Sequence, residues 1–420
     1  MEERSYRVYP YRWAVLAVFM FVNLTIQVLW ISYAPITGQA AKFYGVGDLQ
    51  IGFFSMLFML AFIPLSIPAS WAIDTWGFRL AVGLGVIVMG VFGLMRGLAG
   101  SSYGWALAGT AGVAAAQPFL LNAWTKVPAR WFPADERATA VGLVTLSNLA
   151  GTALGMVLTP FLAASMSIPR IQLLYGALAA FSALVFVVFA REGPPTPPCA
   201  EGEDERALML DGLRHAFTVP SFVIYLAVSF IGIGIFNGVA TWIEAIVRLR
   251  GIGPEAAGTL GALMLVAGVV GAVLLPPLSD KLRRRRPFLI LGMAMAAPGL
   301  LGLTLAPGFP VLCISVSVLG FFLVSAMPIG MQYAAEITRP TPEGTSNGLI
   351  QLFGQASVVF VYIMAALRTP SGSFTPALFL ALGLLLFAAG LVFMLRESDV
   401  GTGVRGGPAV KSSGTRRTAG

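Results

Sequence analysis

Long apolar stretches recur along this chain, and they limit its fold more than any other feature of the sequence. Each is long enough, at about 1.5 Å per residue, to cross the roughly 30 Å hydrocarbon layer of a bilayer. Only 11% of the residues are charged, whereas a soluble domain carries about 25%. We therefore exclude a soluble fold and predict an all-α integral membrane protein. The twelve predicted spans are 12–34, 49–72, 79–99, 104–126, 138–164, 171–190, 219–245, 256–278, 288–307, 310–335, 346–367 and 375–395.

Basic residues are distributed unevenly between the two ends of these spans. If both termini lie on one side, that side receives 21 of the 27 Lys and Arg residues and the other side six. Cytoplasmic loops of membrane proteins are enriched in Lys and Arg, so we expect a multi-pass protein of the plasma (inner) membrane with both termini in the cytoplasm. This topology explains the net charge of +8. We expect a lipid bilayer and a small-molecule substrate as partners, no nucleic acid, and a monomer.

The sequence contains little that could support catalysis or metal binding. Its two cysteines, Cys199 and Cys313, cannot form a disulfide framework, and its one histidine, His215, cannot supply a site of several imidazoles. No paired carboxylates or metal-spaced clusters occur along the spans. We therefore expect no enzyme, no metal and no cofactor. A receptor without transport is the other alternative, and it predicts a large soluble output domain that these 420 residues do not contain.

Landmarks of the first half of the chain recur in the second half at a spacing near 208 residues. The matched pairs are Asp74 with Asp280, Pro118 with Pro328, and Gly142 with Gly348, separated by 206, 210 and 206 residues. Two parallel six-helix repeats joined by a linker describe the major facilitator fold, whose solute site lies between the halves. We predict this fold with 12 transmembrane helices in two pseudo-symmetric halves. The predicted limits are 1–191 for the N-terminal six-helix half, 192–218 for a cytoplasmic linker, 219–395 for the C-terminal half and 396–420 for a disordered cytoplasmic tail.

The segment DTWGFR after the second span supports this prediction more specifically. Asp74, Gly77 and Arg79 resemble the D-x-x-G-x-R/K signature between helices two and three of major facilitator carriers. A glycine turn there would bring Asp74 and Arg79 to a helix interface, where an ion pair can hold one conformation and break in the other. We predict a gate at these residues and at Asp280, the counterpart of Asp74 in the repeat. The alternative is that this charged cluster only sets the topology.

Polar side chains within the spans are costly in lipid, so they face a cavity or another helix. For each amide the alternative to a solute contact is a hydrogen bond between helices, and for Trp30, Trp124 and Trp242 it is an interfacial or packing role. Spans one, four, seven and ten line the cavity of the major facilitator fold. The predicted solute-binding residues are Trp30, Gln117, Asn122, Asn237, Gln332 and Gln355.

The acidic residues bear on energy coupling. Of the 19 Asp and Glu residues, Glu244 is the one that we place within a span, toward its outer end. A proton-coupled carrier needs a buried titratable group, and the middle of the bilayer lacks one. We therefore favour a gradient-driven facilitator. The alternative is a proton-coupled exporter of lipophilic or organic cations, for which Glu244 would be essential.

Several segments resemble a more specific branch, the feline leukaemia virus subgroup C receptor-related family of choline-, ethanolamine- and haem-transporter-like proteins. They include LWISYAPI in the first span, AAQPFLLNAWTKVPARWF from the fourth and EGTSNGLIQLFGQAS leading through the eleventh. The resemblance covers nearly the whole membrane region. It implies a carrier of a choline-like amine or another polar metabolite that works by alternating access.

The resemblance also implies roles for individual residues. In the family's choline carriers, a Trp of helix one and a Tyr of helix seven enclose the quaternary ammonium, with glutamines on helices four and eleven nearby. These positions fall on Trp30, Gln117 and Gln355, and the Tyr falls on Asn237, so one wall of the aromatic cage is missing. A haem-type transporter is a further alternative, although His215 lies in the linker and not in a span.

Overall fold

The computed structural model describes residues 7–133, 136–196, 210–306, 308–339, 341 and 343–397. Within these ranges the chain forms helices and no β-strand, which confirms the predicted all-α class. Residues 197–209 of the predicted linker and 398–420 of the predicted tail lie outside the described residues. The helices are α1 (Arg12–Ile31), α2 (Thr37–Tyr44), α3 (Asp48–Trp76), α4 (Phe78–Leu98), α5 (Tyr103–Leu121), α6 (Lys126–Trp131), α7 (Arg137–Ala163), α8 (Ile168–Phe189), α9 (Leu210–Thr218), α10 (Pro220–Arg248), α11 (Pro254–Leu282), α12 (Arg286–Leu305), α13 (Phe309–Ile337), α14 (Glu343–Ala356), α15 (Val358–Ala366) and α16 (Thr375–Phe393).

Eleven helical segments among the described residues are long and apolar enough to cross a membrane. They match eleven of the twelve predicted spans. The remaining span, 104–126, corresponds to α5, which has 19 residues rich in Ala and Gly and is not among the eleven. The helix ends at Leu121, shortly after Pro118, and α6 follows separately. The membrane character of the chain is confirmed, and the count of twelve spans stays a prediction.

Two spans are interrupted, and both interruptions lie next to predicted solute-binding residues. In the first span a 3-10 turn, Ala34–Ile36, separates α1 from α2. Pro35 lacks the N–H that would bond the Ile31 carbonyl, so α1 ends directly after Trp30. In the eleventh span, Ser357 separates α14 from α15, two residues beyond Gln355. The sequence did not predict either interruption.

Among the described residues, buried apolar side chains form two large cores and a smaller cluster around Tyr33 and Tyr44. One cluster of buried side chains draws only on residues 15–190. The larger cluster is formed mainly by residues 216–395 and adds a few side chains from earlier in the chain. We call α1–α8 the N-terminal half and α10–α16 the C-terminal half. The exact limits of the two halves, 1–191 and 219–395, stay a prediction.

The outer surface is apolar, as a lipid-facing surface must be. Leu80 is 68% exposed, Val273 64% and Phe161 69%, and such side chains would be unfavourable in contact with water. We call the end of the bundle that carries Arg12 and the α3–α4 turn the terminal end. The opposite end, which carries α2 and the α10–α11 connection, is the distal end.

Candidate solute site and gates

Trp30 packs against both large apolar clusters, and the larger of them joins side chains of the two halves; we call this region the seam. Its indole Nε1 donates a hydrogen bond to the Ser55 carbonyl at 3.2 Å, and Ser55 Oγ donates to the Trp30 carbonyl at 3.3 Å. The side chain and the main chain of Trp30 are thus both fixed to α3. The aromatic face is held in a defined place at the end of α1.

Three predicted solute-binding amides carry polar groups that no described residue satisfies. Gln117 on α5 is buried, and its Oε1 has no hydrogen-bond partner. Asn237 on α10 is buried, Gln355 on α14 is half-buried, and neither side chain is hydrogen-bonded by any residue that the structure describes. A buried amide without a partner costs about 1–3 kcal/mol. A polar solute can offer a partner to these amides, as it can to the unsatisfied amide oxygens of Asn23, Gln27 and Asn347.

The other two predicted amides are already engaged. Asn122 Nδ2 donates to the Ser66 carbonyl at 2.8 Å, to Ser66 Oγ at 3.1 Å and to Ser70 Oγ at 2.9 Å. Gln332 is exposed toward the terminal end and donates to Glu336 Oε1 at 3.1 Å. The structure thus places both in contacts with their own half. The Ser70 hydroxyl thus helps to hold Asn122 in place.

Four charged side chains close the distal end. Asp48 at the start of α3 pairs with Arg248 of α10 at 3.0 Å and with Arg368 at 2.6 Å. Glu244 accepts from Arg248 Nε at 2.8 Å and from the Gly38 backbone N–H at 3.2 Å. The side chains of Asp48 and Glu244 are only 8% and 4% exposed. Two negative and two positive charges balance here, and they connect the N-terminal half to the C-terminal half.

Close packing reinforces this distal closure. Trp242 is fully buried and donates from Nε1 to the Val361 carbonyl at 2.9 Å. Its ring lies against Gly52 of α3, where a Cβ would stand 2.2 Å from a ring carbon. At a second crossing, a Cβ on Gly258 of α11 would stand 2.2 Å from the Met156 carbonyl of α7. Small residues allow these backbones to approach closely, as is common between membrane helices.

A buried arginine supports the segment around Trp30. Arg96 on α4 is 1% exposed, although the topology prediction counts it among the six basic residues on the side opposite the termini. It donates to the Leu29 carbonyl at 3.0 Å and to Ser32 Oγ, and its Nε donates to Gln172 Oε1 at 2.8 Å. The guanidinium also lies 4.8 Å from the Tyr33 ring centroid. It thus binds the carbonyl end of α1, where helices favour positive charge.

The N-terminal half carries an ion pair at the terminal end. Asp74 pairs with Lys126 at 2.8 Å. The Gly77 turn has φ +85°, a conformation that favours glycine. The Arg79 side chain is exposed, and its backbone N–H donates to Glu192 at 2.6 Å. The predicted turn is present, but the partner of Asp74 is Lys126 and not Arg79.

In the C-terminal half, the positions that match Asp74 and Lys126 are both acidic, namely Asp280 and Glu336. Arg285 lies between them, pairing with Glu336 at 2.9 Å and with Asp280. Burial lowers the pKa of the Arg285 guanidinium, but the hydrogen bonds and charges of the two carboxylates outweigh burial and raise this pKa above its ordinary value. Arg285 therefore stays charged. Arg285 thus joins the two acidic residues of the C-terminal half, at the positions where the N-terminal half has the direct Asp74–Lys126 pair.

Comparison with known proteins agrees with this architecture. The family model described as Major Facilitator Superfamily matches residues 14–276 and 245–416. The chain belongs to the Major Facilitator Superfamily. Among solved structures of the superfamily, a bacterial homolog of the human lysosomal transporter Spinster, in an inward-facing and unoccupied conformation, superposes with a TM-score of 0.76 and 17% identity. The match covers 93% of this chain and 98% of that one.

The curated relatives of this chain include named transporters. Solute carrier family 49 member A3 of Danio rerio is 30% identical over 88% of this chain and 81% of its own length. The choline/ethanolamine transporter FLVCR1 of Felis catus is 28% identical over 94% of this chain and 75% of its own. An uncharacterized MFS-type transporter of Caenorhabditis elegans is 29% identical over 88% of this chain, which spans 66% of that relative's length. The resemblance inferred from the sequence is thus confirmed, and the chain is a multi-pass superfamily transporter of the solute-carrier type.

Sequence reasoning missed the distal network. It singled out Glu244 but not Asp48, Arg248 or Arg368, which contact one another across separations of 200 and 320 residues. A signal existed, because all four charges fall at or near the outer ends of predicted spans. Within a superfamily that works by two halves moving on each other, opposite charges at one end of the bundle are a reason to expect a pair.

Proposed function

We propose that this transporter carries a small organic solute, a choline-like amine or another polar metabolite, by alternating access as a gradient-driven facilitator. The observation that carries the proposal is the seam itself. Trp30 offers an aromatic face there, and Gln117, Asn237 and Gln355 carry amides that no described residue satisfies. In this proposal the solute sits between the halves, as is general in the fold. Asn122 and Gln332 then serve packing and the terminal network.

The chemistry of these residues favours a protonated amine with N–H donors. A quaternary ammonium needs aromatic faces on several sides, because it cannot donate hydrogen bonds. Here Asn237 stands where an aromatic wall would be, and amide oxygens such as Gln117 Oε1 accept hydrogen bonds. An ethanolamine-like ammonium can use both an aromatic face and amide oxygens. The name of the relative FLVCR1, choline/ethanolamine transporter, supports a solute of this class.

The distal network and the ion pairs of the terminal end are, in this proposal, the two gates. With Asp48 paired across the halves, the distal gate is closed and the solute site opens toward the terminal end. Asp74, Gly77, Arg79 and Asp280 belong to the terminal gate. We further propose that the chain is a monomer of the plasma (inner) membrane, with the terminal end in the cytoplasm.

The first test is uptake of labelled ethanolamine and labelled choline by the purified protein in liposomes, with and without an imposed pH gradient. We expect saturable uptake of ethanolamine that exceeds uptake of choline and does not respond to pH. Trp30→Ala and Gln355→Ala should each reduce ethanolamine uptake at least about tenfold, if each removes about 1.4 kcal/mol of binding. Wild-type rates in both variants, at equal expression, would contradict the site.

A second candidate is a proton-coupled exporter of lipophilic or organic cations. Its support is the position of Glu244, whose carboxylate holds Arg248 and Gly38 together. Protonation of this carboxylate would weaken the distal closure and could couple a proton to the movement. This candidate predicts uptake that a pH gradient drives and that Glu244→Gln uncouples from pH. Haem is a weaker candidate, since His215 bonds Thr341 Oγ1 at 3.0 Å at the terminal end.

A further inference from the structure

An open cleft lies at the terminal end of the C-terminal half, between the α11–α12 connection and the end of α16. It encloses about 550 Å³ and belongs neither to the solute site nor to the gates. Its lining combines three arginines with apolar side chains. The lining residues are Arg283, Arg284, Arg286, Pro287, Ile290, Phe393 and Glu397.

Two of the three arginines are unengaged in the part of the chain that the structure describes. The side chains of Arg283 and Arg284 are exposed and form no hydrogen bond or ion pair with a described residue. Arg286, by contrast, donates to the carbonyls of Val392 and Phe393 and so ties the end of α16 to the wall.

The one acidic residue of the lining bonds backbone N–H groups and not the side chains of Arg283 or Arg284. Glu397 accepts from the backbone N–H groups of Arg285 at 2.6 Å and of Arg286 at 3.1 Å. Its carboxylate thus occupies the start of α12, where a negative charge is favourable. The cleft therefore keeps two guanidinium groups that are free to bind an anion.

The backbone beneath these arginines favours a different residue. The N–H of Arg283 bonds the Asp280 carbonyl at 3.1 Å and the N–H of Arg284 bonds the Ser279 carbonyl at 3.2 Å, the pattern of a Schellman motif. Arg283 takes the left-handed position of this motif with φ +50°, the one positive φ of a non-glycine residue among those described. Glycine is the usual residue there, because a residue with a Cβ is strained at this φ. The backbone is thus strained at the point where the chain carries this guanidinium.

The position of the cleft indicates which class of ligand it binds. Leu282 is 56% exposed, Phe393 59% and Met394 66%, so the cleft opens beside a lipid-facing surface at one end of the membrane-spanning helices. We propose that it binds the phosphate headgroup of an anionic membrane lipid. Arg283 and Arg284 bind the phosphate oxygens, for which the planar guanidinium is well suited. Ile290 and Phe393 contact the adjoining acyl chain.

The proposal is tested by lipid titration of the purified full chain in detergent, with the melting temperature as the readout. Phosphatidylglycerol should raise the melting temperature, whereas phosphatidylcholine and inorganic phosphate should not. Replacing both arginines, by Arg283→Asn and Arg284→Gln, should weaken phosphatidylglycerol binding about thirtyfold, which is about 1 kcal/mol per arginine. Asn is chosen at position 283 because it tolerates a positive φ.

A matched control removes two other exposed arginines of the terminal end, by Arg214→Gln and Arg339→Gln, and should leave the phosphatidylglycerol effect unchanged. Arg284→Gln alone leaves the left-handed position untouched and should weaken binding about fivefold. It remains informative if the double variant does not fold. Unchanged phosphatidylglycerol binding in Arg284→Gln and the double variant would overturn the proposal. An equal shift with inorganic phosphate would also overturn it, since the cleft would then select a soluble anion.

Discussion

The two ends of the bundle use charged side chains in different ways. At the distal end, Asp48 of the N-terminal half pairs with Arg248 and Arg368 of the C-terminal half. At the terminal end, the Asp74–Lys126 pair lies within the N-terminal half. The bridge through Arg285 likewise stays within the C-terminal half.

The two arrangements of ion pairs have different effects on how the halves are held together. Ion pairs that join the halves resist their separation, whereas pairs within one half only stiffen that half. Asp48 and Glu244 are also more buried than Asp74, with side-chain exposures of 8% and 4% against 38%, whereas Glu336 of the terminal end is as buried as they are, at 3%. We therefore expect substitutions at the distal end to shift the balance between conformations much more than substitutions at the terminal end.

The largest effect is expected from Asp48→Asn. This change leaves Arg368 without its carboxylate and Arg248 with Glu244 alone, and losing one partner of a buried charged pair costs about 2–5 kcal/mol. Because the arginines are about a third exposed, we expect about 2 kcal/mol, or roughly a thirtyfold shift toward a distal-open state. A cysteine placed at Phe53, in a variant without Cys199 and Cys313, should react faster with an impermeant thiol reagent.

The control for this experiment is Glu255→Gln. Glu255 is exposed in the first turn of α11 at the distal end, so the change removes one acidic charge without cutting a pair between the halves. Its rate of thiol modification should match the wild type. Equal rates in Asp48→Asn and Glu255→Gln would show that the Asp48 pairs do not hold the distal end closed.

A smaller shift is expected from Gly52→Ala. The new Cβ would stand 2.2 Å from the Trp242 ring, and such overpacking costs about 1–3 kcal/mol. The distal end should therefore open roughly tenfold more often, and Trp242→Phe should relieve the effect in the double variant. Gly142→Ala is the matched control, since no atom lies within 4 Å of a Cβ there. If Gly52→Ala behaves like Gly142→Ala, the two helices do not approach as described.

Glu244→Gln should have an intermediate to small effect. The amide loses the ion pair with Arg248 but keeps an oxygen for the Gly38 N–H, so we expect a cost of about 1 kcal/mol and a shift of about fivefold. Ethanolamine uptake should stay independent of a pH gradient in both the variant and the wild type. Uptake that a pH gradient drives in the wild type but not in the variant would establish the proton-coupled alternative.

The smallest effect is expected from Asp74→Asn at the terminal end. The pair with Lys126 is exposed, and exposed pairs contribute about 0–1 kcal/mol. Uptake should change by less than about fivefold. A loss of uptake in Asp74→Asn as large as that in Asp48→Asn would contradict the difference between the two ends.

Much of the architecture was open to prediction from the sequence, because it depends on local pattern. Apolar length predicted the spans, and the repeat placed Asp74 and Asp280 at matching positions, where each takes part in an ion pair. The interruption after Trp30 was also within reach, since Pro35 lies four residues beyond the carbonyl that it leaves unbonded.

The pairing of charges was not open to prediction in the same way. Arg96 looks like a topology signal in the sequence, yet it is buried against Leu29 and Gln172. Which carboxylate meets Arg248 depends on how the halves dock, and Asp48 is 200 residues away in the chain. Local pattern therefore identifies the helices, and the docking of the halves decides which polar groups are left for a solute.

The most direct test of the alternating-access account is the distance between the halves at the distal end. Spin labels at Lys42→Cys and Leu249→Cys, both exposed positions of opposite halves, report it by double electron–electron resonance in a variant without the native cysteines. Alternating access predicts one short distance between the labels without solute. It also predicts a second, longer distance whose population increases with ethanolamine and in Asp48→Asn. A single distance that neither ethanolamine nor Asp48→Asn alters would contradict it.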